Sequence, residues 1–400
     1  EALNDWITKS GLSVFDLDMV PTPLQYYSLF KYDINGGIQV TASHNPREYN
    51  GFKLSLGRET FFGEDIQKLK KIIIEGKFVE TFEWGRVQRL DVVDQYIFEM
   101  TQSFRINGRY KVAIDPGNGT AGPVVSEIFK AIGIPFEGIY MEVDGTFPNH
   151  LADPTVVKYM KDLSEKVVKE KFDLGIGYDG DADRIGALTH EGVLLFGDKI
   201  LGIFAKQILK NNKGATIIYD VKCSKGLTEY IERLGGKPLM WKTGHALLKA
   251  KLKEENAPLA GEMSGHIFFN DRFYGYDDAI YASLRLLEIL EEEKKSLKEL
   301  SEEIPHYYST PEIRVGCPDN KKFEVVAKLV EMFKKDYKVI DIDGVRVEFP
   351  DGFGLIRASN TQPVLVVRCE GKTPEKLEEI KNLIFGALAK FEAVSYTHLR

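Results

Sequence analysis

The sequence predicts an α/β protein of several domains, on three observations: a length beyond one core, strand-like runs that alternate with amphipathic helical stretches, and polar loops at the ends of those runs. At 400 residues the chain exceeds what one hydrophobic core usually supports, and the length favours two to four domains of about 100 to 200 residues each. Residues 112–114 form an apolar run before a glycine-rich turn and a helical stretch, and residues 215–219 precede another. That order of strand, turn and helix is α/β grammar. Residues 37–40 run into a polar loop and residues 174–178 into an acidic one, so the pattern recurs without clear repetition of sequence.

The remaining elements follow in order. Residues 288–303 are charged but keep leucines at helical spacing, and read as one solvated helix followed by a linker ending near Pro305. Beyond it, the order helix, strands, helix predicts a separate α+β domain. Residues 374–393 close the pattern as a helix, and residues 394–400 lose it and are assigned no function. Glu1 lies inside what reads as a helix, so residues upstream of it are expected.

Composition narrows the class. A hydrophobic content of 43% with 28% charged residues and no low-complexity tract describes a chain that folds. The net charge of −7 argues against non-specific binding to nucleic acid or to an anionic membrane, since both would repel it. Cys223, Cys317 and Cys369 form no C-x-x-C pair, which suits a reduced cytoplasmic protein. Cys223, beside Lys222, reads as a buried inert thiol. No apolar run reaches the length of a membrane-spanning helix, and the N-terminus does not resemble a secretory signal.

Four loops carry candidate chemistry. Thr41-Ala-Ser-His-Asn-Pro46 follows an apolar run and can hold the Ser43 hydroxyl outward, although it also reads as an ordinary serine-rich turn. It lacks the Gly-x-Ser-x-Gly elbow of an α/β-hydrolase. Downstream, Lys53 is either a solvated lysine or, near a phosphate, a cation and proton carrier. Asp179-Gly-Asp-Ala-Asp-Arg184 places three carboxylates at every second position. In a tight loop they can converge on one hard cation, and magnesium fits because it accepts a few carboxylates and keeps positions for water or phosphate oxygen. An EF-hand is excluded, since Arg184 and His190 stand where its glycine and closing glutamate belong. A solvated acidic turn is the plainer alternative.

In Gly261-Glu-Met-Ser-Gly-His266, Glu262 and Ser264 can bond sugar hydroxyls and His266 can carry a proton, though a capped turn would look the same. Lys222 and the segment Lys242-Thr-Gly-His245 are further candidates for that pocket, each also readable as structural. Arg357-Ala-Ser-Asn-Thr-Gln-Pro363 lies between two strand-like stretches, and an arginine fork with hydroxyls, an amide and backbone N–H groups is a set that grips phosphate. A plain hairpin turn fits it too. Asp115-Pro-Gly-Asn-Gly-Thr120 lacks the Walker lysine and the G-x-G-x-x-G spacing, and reads as a structural strand-to-helix turn.

Taken jointly and in this order, T-A-S-H-N-P, D-G-D-A-D-R, G-E-M-S-G-H and R-A-S-N-T-Q-P resemble the α-D-phosphohexomutase family, closest to its phosphomannomutase/phosphoglucomutase branch. The resemblance runs from about residue 20 to residue 390. It implies three α/β, mixed-sheet domains plus a C-terminal α+β domain around a central cleft, with limits of 1–90, 91–193, 194–305 and 306–393. By matching position it implies Ser43 as the phosphoserine, with Ser43, Asp179, Asp181 and Asp183 holding magnesium. Arg184 would steady the phosphoryl group, and Lys53 and His266 would move protons. Glu262 and Ser264, with Lys222 and His245, would contact the sugar, and Arg357, Ser359, Asn360 and Thr361 would clamp the distal phosphate. In the family, Met at the position of Met263 accompanies mannose and glucose phosphates, whereas Gln accompanies glucosamine phosphate.

The implied reaction interconverts hexose 1-phosphate and hexose 6-phosphate through a hexose 1,6-bisphosphate, in a monomer or small homo-oligomer that takes only small hexose phosphates. One departure stands out. The Tyr-Asp-x-Arg-Gly-like segment that usually supplies an arginine in this family does not occur before Ser43, so a first domain incomplete at its N-terminus and a lowered activity are expected. Two rivals remain. A phosphatase with Asp179 as nucleophile is suggested by the strand ending in Asp-x-Asp, although Asp183 replaces the usual Thr or Val. A non-catalytic sugar-phosphate binding protein is the other.

Overall fold

A computed structural model of the chain describes residues 1–359, 362–391, 393 and 394. Three consecutive mixed α/β units precede a fourth built on a single antiparallel sheet. In the second unit the strand order runs Leu194–Leu195, Ile185–Thr189, Leu174–Tyr178, Val112–Asp115, Phe136–Gly138, the last three parallel. In the third, Lys237–Trp241, Thr216–Asp220 and Leu259–Gly261 are parallel and Ile267–Phe269 runs against them. The central strands Val112–Asp115 and Leu174–Tyr178 are buried along their whole length, as continuous apolar runs covered on both faces must be. The polar loops therefore emerge at the C-terminal ends of parallel strands, where open α/β sheets present their sites.

The first unit differs. Its strands fall into two separate sheets among the described residues: Val14–Asp16 pairs in parallel with Val87–Arg89, while Gly36–Val40, Phe52–Leu56 and Glu59–Thr60 form an antiparallel trio. Large apolar side chains lie exposed there, among them Trp6, Phe15, Ile73, Ile74, Phe82 and Trp84. The helix Glu64–Glu75 buries none of its residues.

The stretch expected as one solvated helix over 288–303 is instead the end of the helix Ala279–Glu293 and the whole of Leu297–Glu302. Lys294 turns left-handed between them, and a capping box starts the second: Glu299 N–H donates to Ser296 Oγ, and the Glu299 carboxylate accepts from Ser296 N–H. The apolar positions of this stretch are not solvated, since Ile289, Leu290, Leu297 and Leu300 are buried. The closing helix is Pro374–Leu388, shorter than the 374–393 expected.

One apolar core runs through the first three units, from Leu24 and Tyr27 through Ile114 and Ile176 to Leu201 and Leu284. The fourth has its own, around Leu329, Val347, Val367 and Ile384. Its junction with the third unit combines a small apolar cluster of Val221, Phe353 and Leu355 with buried polar contacts. Arg346, 1% exposed, donates from Nη1 to the carbonyls of Val221 and Cys223 at 2.6 and 2.9 Å. Glu370 Oε1 accepts from Ser224 Oγ at 2.8 Å and from Lys225 N–H at 2.9 Å.

Candidate functional site

Ser43 stands three residues beyond the end of the strand Gly36–Val40, and its backbone is left-handed, with φ 54°. A non-glycine residue there costs on the order of 1 kcal/mol. The loop holds it: Ser43 N–H donates to Thr41 Oγ1 at 2.9 Å, and Asn45 donates from Nδ2 to the Ala42 carbonyl. Ser43 Oγ is thereby turned to Asp179, donating to Oδ2 at 2.9 Å. The two loops touch closely enough that a Cβ on Gly180 would sit 2.3 Å from the Ser43 carbonyl oxygen, so only glycine fits at that position.

The acidic loop is a compact knot. Asp179 Oδ1 accepts from the N–H groups of Asp183 and Arg184 at 3.0 and 3.1 Å, and the glycine-rich turn braces it from outside, Thr120 N–H donating to the Gly180 carbonyl. Asp179, Asp181 and Asp183 are all buried, with carboxylate oxygens within 4.8 Å of one another. Asp181 Oδ1 and Asp183 Oδ1 have no hydrogen-bond partner. Three converging carboxylates with unused oxygens fit a hard divalent cation.

Lys53, on the strand Phe52–Leu56, brings an ammonium into the same knot, 2.6 Å from Asp181 Oδ2 and in contact with Asp183. The charges polarise one another. Burial, and then Asp183 and Asp181, push the Asp179 carboxyl well above its ordinary range. Burial opposes charge on Asp183 and Lys53 as well, but there their mutual attraction wins: Asp183 is lowered, and Lys53, with Asp181 contributing most, is raised well above a normal lysine. Burial and then Arg184 bring His44, whose Nδ1 lies 3.1 Å from Ser43 Oγ, down to about 4.

The loop of residues 261–266 joins this cluster to a second one. At one end His266 Nε2 accepts from Arg184 Nε at 2.9 Å, and a left-handed Gly265 (φ 92°) lets the chain pass against Ile185. At the other, Glu262 accepts from Gly244 N–H at 2.7 Å and from Ser264 Oγ at 2.8 Å. Around it stand Lys222, 3.2 Å from Glu312, and Arg357, whose Nη2 lies 3.0 Å from Asp343 Oδ2. Asp343 Oδ2 also accepts from Thr243 N–H at 3.0 Å. Ser359 sits beside them, its Oγ accepting from Gln362 N–H. Asn360 and Thr361 lie outside the described residues.

His245 follows Gly244, whose N–H meets Glu262, and stacks its ring on His266 with centroids 5.5 Å apart. Sequence reading missed four contributors. Thr22 donates from Oγ1 to Asp181 Oδ2 at 2.6 Å; Asp220 accepts from Thr243 Oγ1 and Met263 N–H; Asp343 backs Arg357; and Asp277, fully buried, faces His266, His245 and Lys249. Cys223 is the inert thiol expected, buried and pushed well above its ordinary range by burial and then by Asp220.

Comparison with known proteins gives four family models along the chain. They are described as phosphoglucomutase/phosphomannomutase alpha/beta/alpha domain I over residues 1–80, domain II over 94–192, domain III over 196–308, and C-terminal domain over 312–387. A phosphomannomutase/phosphoglucomutase from Pseudomonas aeruginosa is 42% identical over 378 residues, 93% of this chain and 80% of that protein. A phosphoglucomutase from Neisseria gonorrhoeae is 39% identical over 385 residues, 96% of this chain and 84% of that protein. The crystal structure of a phosphoglucomutase/phosphomannomutase family protein from Burkholderia thailandensis superposes with a TM-score of 0.90 at 40% identity, covering 98% of this chain and 86% of that one.

Proposed function

The chain belongs to the phosphoglucomutase/phosphomannomutase family, and from that premise we propose how its residues work as a phosphohexomutase that interconverts hexose 1-phosphates and hexose 6-phosphates. The observation that carries the reading is Ser43 Oγ held 2.9 Å from Asp179 Oδ2 at the mouth of the carboxylate knot. Phosphorylated Ser43 gives its phosphoryl group to the free hydroxyl of a hexose monophosphate. The P–O bond to Ser43 breaks as the bond to the sugar oxygen forms, and the hexose 1,6-bisphosphate turns in the cleft and returns its other phosphoryl group to Ser43.

Ser43, Asp179, Asp181 and Asp183 are the residues that would hold magnesium, which when bound offsets negative charge on the transferring phosphoryl group. Arg184 steadies that group from the other side. The sugar hydroxyl loses a proton and the serine oxygen gains one, and the two candidates differ in what they can do. Lys53 is kept an ammonium by Asp181 and Asp183 and so donates; the His266 Nε2 lone pair is engaged by Arg184 Nε and can take a proton only when Arg184 turns to the phosphoryl group. Glu262 and Ser264 read sugar hydroxyls, Lys222 and His245 line the route between them, and Arg357 and Ser359, with Asn360 and Thr361, clamp the distal phosphate. Met263 directs the choice to mannose and glucose phosphates.

Asp179 Oδ1 accepts two backbone N–H groups and Oδ2 the Ser43 hydroxyl, an arrangement that favours Asp179 as a ligand beside the phosphoserine over Asp179 as a phosphatase nucleophile. Separation of the strands into distinct sheets supports domain limits near 1–90, 91–193, 194–305 and 306–393, save that Leu194–Leu195 pairs into the second sheet and moves that limit beyond residue 195. Three buried free cysteines suit a reducing compartment, and we place the enzyme in the cytoplasm as a monomer or small homo-oligomer. Among the described residues no helix is long and apolar enough to cross a membrane. The test is a coupled assay of glucose 1-phosphate and mannose 1-phosphate conversion with magnesium and a trace of hexose bisphosphate, alongside intact mass. Turnover with phosphoserine at Ser43 is expected; turnover by protein that never carries phosphate there would overturn the mechanism.

A further inference from the structure

Thr22 is fully buried against the carboxylate knot and belongs to none of the four loops that carry the chemistry. It opens the helix Thr22–Lys31 between two prolines, Pro21 and Pro23. Neither proline has an N–H, and the first N–H groups of a helix have no partner within it. Of these three residues only Thr22 therefore offers a backbone donor, and nothing in the helix claims it. That N–H donates to the Asp181 carbonyl at 2.9 Å, and the Thr22 hydroxyl donates to Asp181 Oδ2 at 2.6 Å. One threonine thus grips one aspartate at both its backbone and its side chain. The helix behind it is a firm base: every residue from Thr22 to Leu29 is buried, and Leu24, Tyr26 and Tyr27 belong to the core shared by the first three units.

We propose that Thr22 is a positioning residue for magnesium, holding the Asp181 carboxylate by Oδ2 so that Oδ1 is kept for the cation. The proposal rests on the reading of Asp179, Asp181 and Asp183 as magnesium ligands. A carboxylate turns about a single bond, so fixing one oxygen fixes the other. Asp181 Oδ2 is taken by Thr22 Oγ1 and by Lys53 Nζ, each 2.6 Å away, whereas the buried Oδ1 has no hydrogen-bond partner. Asp183 divides in the same way, with Oδ2 against Lys53 and Oδ1 without a partner. Buried carboxylate oxygens left unbonded are costly, and a hard cation is a partner that both can share.

Lys53 is the looser hold on Asp181. Its one ammonium, on a flexible four-carbon stem, serves Asp181 and Asp183 together. Thr22 has a short branched side chain and is tied to Asp181 through its own backbone as well. A partner behind a metal ligand sets the orientation of that ligand, and its loss costs about 10- to 100-fold in metal affinity or activity. Because Thr22 lies in the first unit and Asp181 in the second, the same contact makes the magnesium site depend on how the two units are docked.

The experiment titrates metal-free wild type, Thr22→Val and Thr22→Ser with magnesium chloride by isothermal titration calorimetry, alongside thermal melts of the metal-free proteins. Valine keeps the shape and the N–H and loses the hydroxyl; serine keeps the hydroxyl and loses a methyl group. Thr22→Val is expected to raise the magnesium dissociation constant about 10- to 100-fold, with Thr22→Ser within about threefold of wild type. The magnesium needed for half-maximal rate in the coupled assay should rise in parallel. A hydroxyl that only docked one unit on the other would lower the metal-free melting temperature and leave the dissociation constant alone. An unchanged dissociation constant in Thr22→Val, or Thr22→Ser as weak as Thr22→Val, would overturn the proposal. Should Thr22→Val fail to fold, hydrogen exchange at the Thr22 amide of wild type decides. Coupling between two sites is reciprocal, so magnesium should slow that exchange, and an unchanged rate would overturn the assignment. A folded wild type that binds no magnesium would overturn the magnesium reading and the proposal together, whereas wild-type binding that Thr22→Val retains in full would overturn the proposal alone.

Discussion

Ser43 Oγ donates to Asp179 Oδ2 across 2.9 Å although 136 residues separate the two in sequence. The contact joins the first unit to the second at the point where phosphate is transferred. Ser43→Ala is expected to lower kcat at least about 10³-fold and to take up no phosphoryl mass from a hexose bisphosphate. Its melting temperature should move little, because one hydrogen bond contributes about 1 kcal/mol. Intact-mass spectrometry and the coupled assay check both.

Lys53 is the cation with which the first unit neutralises the buried carboxylates of Asp181 and Asp183. Lys53→Met leaves them uncompensated, at a cost of about 3 to 5 kcal/mol in metal-free protein. Magnesium should restore much of this, so the melting temperature of the variant should rise more on adding magnesium, and fall more with a chelator, than that of wild type. Equal shifts in both proteins would count against the carboxylates as the cation site.

Asp278 caps the helix Ala279–Glu293, accepting from Tyr281 N–H at 2.8 Å, and also accepts from the buried Tyr96 hydroxyl at 2.8 Å. Asp278→Ala removes the cap and strands that hydroxyl, and is expected to cost about 2 to 4 kcal/mol by denaturant unfolding. Asp278→Asn keeps an acceptor for the helix and should cost less.

Glu303 takes hydrogen bonds from Lys295 at 2.7 Å, Lys206 at 3.0 Å and the Tyr230 hydroxyl at 3.0 Å. Burial opposes its charge, but these bonds, Lys295 first, bring its carboxyl from 4.5 down to about 2. A lowered folded value means stability that is present above the unfolded value and lost as pH falls. Wild type should therefore melt above Glu303→Gln at pH values over about 4.5, and the difference should vanish by about pH 2. Calorimetry of both proteins across that range is the check; a difference that does not vary with pH would show the bonds to be unimportant.

Much of the site was legible because its chemistry is concentrated in short loops. Asp179, Asp181 and Asp183 need no fold to be seen as ligands, and Ser43 and Arg357 stand in short runs of the same density. Asp277 was not legible, because His245, Lys249 and His266 come to it from two other elements and its own neighbours, Tyr276 and Asp278, suggest only a helix cap. The helix break near Lys294 was missed although Ser296-Leu-Lys-Glu299 carries a capping-box signature, since the leucine spacing runs on through it and periodicity alone does not see a change of axis.

The division of apolar cores has a thermodynamic consequence. Units that share one core melt together, whereas a unit with its own, docked through the small cluster of Val221, Phe353 and Leu355 and through Arg346, Glu370 and backbone carbonyls, exchanges its polar contacts for water at about 0.5 to 1.5 kcal/mol each. The chain should denature as two cooperative blocks, residues of the first three units in one and the antiparallel sheet in the other. Lys53, Asp278 and Glu303 report on the larger block, so damage to the distal phosphate clamp can leave the phosphoryl-transfer machinery standing.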